Sequence, residues 1–260
     1  MRKVGLILVG MIVVLAIFAP LIAPYQPSEY VGQSFLAPNS SQLLGTNDLG
    51  EDIFSRLLYG ARTSVVIGFS TALLSTFLSF LIGVTSALFK GIYDTFWMRL
   101  IDGFIALPTV LIIILIAAYF RVSLWGMVMV LSLLFWQYGA RIIRNQTNSL
   151  LKSNFIVAVQ GFGAGKLHIT LKHLLSQLLP LLSVQFLLIF RRAVFLEAGL
   201  SFLGVGDPSL ISWGKMIRHG LDYIYLGGWS WWILPPAILL TLTILGIVLV
   251  EYGKDSQELV

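Results

Sequence analysis

A chain that crosses hydrocarbon needs roughly 20 consecutive apolar residues to span about 30 Å. This sequence supplies six runs of that kind: Val4–Ala23, Thr63–Phe89, Gly103–Phe120, Val122–Ala140, Leu174–Leu203 and Tyr223–Val250. Only the fifth is interrupted by charge, at Arg191, Arg192 and Glu197. The runs are too long and too evenly apolar for barrel strands, which alternate and need about 10 residues each. Composition closes off the soluble alternative, because a chain of 260 residues with 11% charged and 57% hydrophobic side chains cannot coat a soluble surface. The expected fold class is therefore all-α, a polytopic membrane protein with six transmembrane helices. The absence of cysteine excludes disulfides, iron–sulfur clusters and thiolate zinc sites.

Basic residues set the expected orientation, since Lys and Arg collect in cytoplasmic loops. With the N-terminus inside, the inner set is Arg2, Lys3, Lys90, Arg99, Arg141, Arg144, Lys152, Lys166, Lys172 and Lys254, and the outer set is Arg56, Arg62, Arg121, Lys215 and Arg218. Ten against five predicts both termini in the cytoplasm, and the formal charge of +5 is then topology rather than a nucleic-acid signal. The first run exceeds a secretory h-region of roughly 7–15 residues and reads as an uncleaved anchor. The expected organisation is an anchor at 1–24, an extracytoplasmic segment at 25–60, and a five-helix core at 61–260. That core carries a cytoplasmic loop at 141–173 and an extracytoplasmic loop at 204–222.

The inner loop carries the most information. Phe155, Ala158, Val159 and Phe162 recur at i, i+3, i+4 and i+7, one face of a short helix that Asn154 can cap. Gly161, Gly163 and Gly165 then break the pattern. Leu167, Leu171, Leu174, Leu175 and Leu178 form a second apolar stripe, with Lys166, His168 and Lys172 opposite. Such a helix–turn–helix suits either a groove on a soluble partner or the lipid interface.

Three stretches resemble a known family. Phe155–Pro180, F-I-V-A-V-Q-G-F-G-A-G-K-L-H-I-T-L-K-H-L-L-S-Q-L-L-P, resembles the EAA loop of ABC-importer permeases, with Val157 at the glutamate position and Val159 at the second alanine. Leu44–Ser64, L-G-T-N-D-L-G-E-D-I-F-S-R-L-L-Y-G-A-R-T-S, looks like the signature before the second span in one permease subunit of dipeptide/oligopeptide/nickel importers, with Glu51 where a basic residue is common. Glu197–Gly206 and Pro208–Gly214 match a further hallmark of that subunit. The resemblance implies a type I importer permease in a prokaryotic plasma membrane. It would pair with a homologous second permease, two cytoplasmic ATPases that hold ATP and Mg²⁺, and an extracytoplasmic binding protein. It makes Phe155–Gly163 the coupling helix. The chain itself is expected to be no enzyme and to hold no cofactor. The one P-loop lookalike, Gly161–Leu167, has its first glycine a residue too close and Leu167 in place of Ser or Thr.

Other function classes are a self-contained secondary transporter and a non-transporting assembly protein. Against the first, no inverted repeat or broken helix pair is visible in the sequence. Arg191 and Arg192 are candidates for lining a path; the alternatives are snorkelling to the outer interface or pairing with Glu197. Glu197 itself reads as structural, at the outer gate or a subunit interface. His168 and His173, five residues apart, do not share an α-helical face, and no metal site is expected. Trp213, Trp229, Trp231 and Trp232 read as an interfacial belt. Pro108, Pro235 and Pro236 are expected to kink or start spans, and Pro180 to open one.

Overall fold

The computed structural model describes residues 1–119 and 122–258, so Phe120 and Arg121, used above in the third run and the outer charge count, lie outside the described residues. Nine helices carry the description: α1 Arg2–Ile22, α2 Ile53–Phe89, α3 Gly91–Ala106, α4 Thr109–Tyr119, α5 Leu124–Leu151, α6 Asn154–Gly161, α7 Lys166–Phe202, α8 Trp213–Asp222 and α9 Leu234–Glu258. Two isolated bridges are the only extended pairings among the described residues. The all-α reading holds. Five helices are long and apolar enough to cross a membrane, and six if α3 and α4 count as one bent span.

That bent span corrects the third run. The helix does not pass straight through Gly103–Phe120; it stops at Ala106, turns by 81° and restarts at Thr109. Pro108 is the cause, because its ring pushes Leu107 to extended backbone (φ −86°, ψ 136°) and it donates no amide hydrogen. Pro180 behaves differently from expectation. It lies inside α7, which begins fourteen residues earlier at Lys166, so the second stripe of the inner loop is the first part of the fifth span. Pro235 and Pro236 do start α9, at the positions where amide hydrogens lack intrahelical partners.

The chain forms two compact units. The first comprises Met1–Ser70, Ile116–Val128 and Phe190–Val260. Its core gathers Ile12 and Ala16 of α1, Ile53, Leu57 and Ala61 of α2, Trp213 and Met216 of α8, and Trp232. Trp213 is not part of a belt: it is fully buried, and its indole N–H donates to the Leu57 carbonyl at 3.1 Å. Trp232 is buried too and stacks on Tyr223 at 5.6 Å, whereas Trp229 is half exposed, as a belt residue would be. α1 lies antiparallel against α9. At Gly5 a Cβ would stand 2.6 Å from the Gly246 carbonyl and 2.8 Å from the Val250 nitrogen, so the start of α1 packs closely on α9.

The second unit comprises Thr71–Leu115 and Met129–Ile189. One cluster joins Val84 of α2, Ile143 of α5, Ile156 of α6, and Ile169, Leu174, Leu178 and Leu182 of α7. Another joins Ile82, Ile101, Trp136 and Ala140. Two serines of α2 reach carbonyls of the neighbouring helix, the kind of interhelical bond that hydrocarbon favours. Ser79 donates to the Trp136 carbonyl at 2.7 Å and Ser75 to the Ser132 carbonyl at 3.3 Å. Arg144 and Arg141 of α5 pair with Asp94 and Asp102 of α3.

The α1–α9 contact gives a stability prediction. Gly5→Leu drives a side chain into backbone and should cost roughly 1–3 kcal/mol of overpacking, read as a lower thermal unfolding midpoint in detergent. Gly10→Leu meets nothing within 4 Å and should leave the midpoint near the parent value.

Candidate functional site: the inner loop and the Glu197 brace

The loop helix α6 is built by local rules. Ser153, not Asn154, caps it: its backbone is extended, its hydroxyl accepts from the Ile156 amide at 3.5 Å and donates to the Leu150 carbonyl at 2.7 Å. At the other end the chain closes a Schellman turn. The Gly163 amide donates to the Gln160 carbonyl at 2.9 Å and the Ala164 amide to the Val159 carbonyl at 3.4 Å. Gly163 sits at φ +83° with open space where a Cβ would go, so glycine is required there by backbone conformation and not by crowding.

Helix α6 is apolar on two sides. Ile156 is fully buried against Val84, Ile143 and Ile169, and Val159 is packed beside it. Phe155 (54% exposed), Ala158 and Phe162 (92% exposed) point away from the chain's own core. Of the predicted face, Phe155, Ala158 and Phe162 therefore share the open side with Val157, and Val159 belongs to the anchoring side. The periodicity argument passed over Ile156, although a short helix apolar on both sides has two surfaces to cover.

Two further corrections concern the segment after the turn. Ile169–Leu174 is π-helical, and its wider i→i+5 turn brings His168 and His173 together at a ring separation of 5.7 Å, with Phe155 5.2 Å from His173. The two histidines thus share a face after all. Lys166 is not merely decorative: its ammonium donates to the Leu88 carbonyl at 3.3 Å and lies 4.7 Å from the centre of the Phe89 ring.

In the first unit, Glu197 is buried. Its carboxylate accepts from Ser64 of α2 at 3.0 Å and from Ser201, one turn along α7, at 2.7 Å; Ser212 and Lys215 stand nearby. A water-sized cavity of about 20 Å³ touches Glu197, Ser201 and Lys215. Lys215 donates to the carbonyls of Asp207 and Leu210, and burial holds its ammonium below the usual lysine range against the pull of Asp207 and Glu197. Asp207 is held below the usual carboxylate range by the Ser209 hydroxyl and amide, at 2.7 and 2.9 Å.

Arg191 pairs with Glu251 at 3.1 Å. Glu251 lies one residue past the sixth run, toward the end of α9 that faces Gly5, so Arg191 sits on the side away from the Trp232 cluster. Arg192 is exposed on α7.

The second signature is a capped turn. Asp52 accepts from the Ser55 amide and hydroxyl, both at 2.7 Å, and so starts α2 at Ile53, ten residues before the apolar run. Asn47 accepts from the Leu49 and Glu51 amides at 3.0 and 2.8 Å, and Glu51 pairs with Arg56. The acidic departure at Glu51 is thereby matched within the chain.

A bent-span, all-helical domain with a loop helix anchored on one side and open on the other is the arrangement of a multi-pass membrane protein. The model of binding-protein-dependent transport system inner membrane components matches residues 79–252, and that of the N-terminal transmembrane domain of oligopeptide transport permease C matches residues 1–42. This chain belongs to the binding-protein-dependent transport permease family, in its oligopeptide-permease branch. It is 35% identical to a putative peptide transport system permease protein of Brucella suis over 96% of this chain and 84% of that one. It is 32% identical to the oligopeptide transport system permease protein OppC of Bacillus subtilis, over 99% and 85%. Its fold is similar to a chain of the inward-facing MetNI methionine ABC transporter, with a TM-score of 0.60 and 19% identity, covering 78% of this chain and 95% of that one.

The Glu197 brace predicts a specific asymmetry. Glu197→Ala strands two buried hydroxyls and should cost about 2–3 kcal/mol, whereas Glu197→Gln keeps an acceptor and should cost clearly less. Thermal unfolding of the purified protein in detergent measures both.

Proposed function

We propose that this chain is one of two permease subunits of an ATP-driven importer, with both termini in the cytoplasm. Its partners are a homologous second permease, two cytoplasmic ATPases that carry ATP and Mg²⁺, and an extracytoplasmic binding protein that delivers the solute. The relatives named as peptide permeases favour a peptide or similar polar solute. The observation that carries this reading is α6, held to its own chain through Ile156 and Val159 while Phe155, Ala158 and Phe162 stay uncovered. An apolar face on a short helix between two spans is suited to a groove on a soluble subunit. ATP binding closes the ATPases, their grooves carry the two loop helices together, and the spans follow into the outward-open arrangement. Ser153 and the Gly163 turn fix the angle at which that movement enters α7.

Roles for the charged residues follow from their surroundings. Glu197 braces α2, α7 and the start of α8 at the extracytoplasmic gate. Arg191 joins the fifth and sixth spans through Glu251, and the exposed Arg192 is the residue we assign to the solute path.

Ala158→Asp places an unpaired charge in the ATPase contact and should weaken ATPase association by well over tenfold, since stranding a charge in an apolar interface costs several kcal/mol. Lys172→Gln, on the polar side, should bind as the parent does. Co-purification of the ATPase with each variant is the measurement, and an Ala158→Asp complex of normal stability contradicts the reading. Orientation has its own test, because the chain has no native thiol. A cysteine at Ser40 should react with an impermeant reagent in intact cells, and one at Gln160 should not.

A further inference from the structure

Lys166 lies outside the α6 face assigned to the ATPase, yet it fastens the loop to another element. Its ammonium donates to the Leu88 carbonyl at 3.3 Å and sits 4.7 Å from the Phe89 ring centre, so it occupies the last turn of α2. A helix C-terminus exposes unsatisfied carbonyls and partial negative charge, and an ammonium there satisfies both. The chain then leaves helical geometry abruptly: Lys90 has φ +46° and Gly91 φ +60°. Leu88, Val159 and Ala164 all pack against the same cluster, which includes Val84 and Ile156. Ala164 is the residue that completes the Schellman turn, and Lys166 follows it by two positions.

These contacts converge on one element. α2 is a single helix of 37 residues with no internal proline, and it begins at the Asp52 cap within the Leu44–Ser64 signature. One unbroken helix therefore has a motif-bearing start and an end clasped by the inner loop. We infer that Lys166 is a positioning residue for coupling: it clips the turn after α6 onto the C-terminal turn of α2, so that displacement of the loop helix moves α2 as well as α7. This rests on the importer reading above. In that frame α2 is the second route by which the signature end of the chain and the ATPase sense each other, alongside the direct continuation of the loop into α7.

The test uses the complete complex, two permeases and two ATPases, reconstituted in liposomes with the loaded binding protein. Lys166→Met keeps most of the aliphatic stem and removes the ammonium. ATPase association and unstimulated hydrolysis should match the parent, while stimulation of hydrolysis by loaded binding protein should fall by roughly threefold to tenfold, the scale of one charge-assisted hydrogen bond with a cation–π contact. Lys166→Arg keeps a cation and should restore most of the stimulation. In the same complexes, spin labels on cysteines at Leu81 and Gln160 report the separation of α2 and α6; the distance distribution should be narrow in the parent and in Lys166→Arg, and broader in Lys166→Met. Unchanged stimulation, or an unchanged distance distribution, in Lys166→Met overturns the inference. Failure of the importer reading is distinguishable, because it appears as normal ATPase association in Ala158→Asp, whereas the label distances report the clip whichever subunit covers α6.

Discussion

Everything in this chain is arranged around one constraint: within hydrocarbon a polar group has no water to bond to, so the protein must answer it. Helices answer their own backbones; some polar side chains within the spans bond a carbonyl four residues back in the same helix, as Thr147 and Thr243 do, and others reach across to a neighbouring helix. Ser75 and Ser79 reach carbonyls of α5, Glu197 collects two serine hydroxyls, and Arg191 finds Glu251. These contacts are few, but each fixes a neighbour and a rotational setting that apolar packing alone would leave loose. Where backbone helicity is interrupted, at Leu107–Pro108, the interruption makes an 81° bend, and the helix before it is tied to α5 by two arginine–aspartate pairs.

The same constraint separates the inner loop from the rest. Once the chain leaves the spans, an apolar face must be covered by protein or by the lipid interface. Ile156 and Val159 find their own core; Phe155, Ala158 and Phe162 do not. On the proposed coupling role, load applied to the open side of α6 is passed to its anchored side. The Ser153 cap and the Gly163 turn close the two ends of the helix.

Much of this was legible from residue order. Hydropathy runs marked the regions of the spans, though not the bend at Pro108 or the early start of the fifth at Lys166, and family-like motifs marked the loop helix. What was not legible depends on contacts distant in sequence or on altered helical pitch. Ile156 fell outside the i, i+3, i+4, i+7 series, and its burial depends on Val84 and Ile143 arriving from other helices. Trp213 looked interfacial by company, yet Leu57 supplies the acceptor that lets its indole be buried. The two histidines looked divergent because the spacing argument assumed 3.6 residues per turn, and the Ile169–Leu174 segment is π-helical. Glu251 sat just past an apolar run, where nothing marked it as the partner of Arg191.

The central claim is that the open side of α6 is covered by the ATPase, and covalent capture tests it most directly. A photoreactive phenylalanine analogue placed at Phe162 in the assembled complex should, on irradiation, cross-link to the ATPase subunit in high yield, while the same analogue at the lipid-type position Phe69 of α2 should not. Cross-links from position 162 to lipid alone, or to no subunit, would contradict the account.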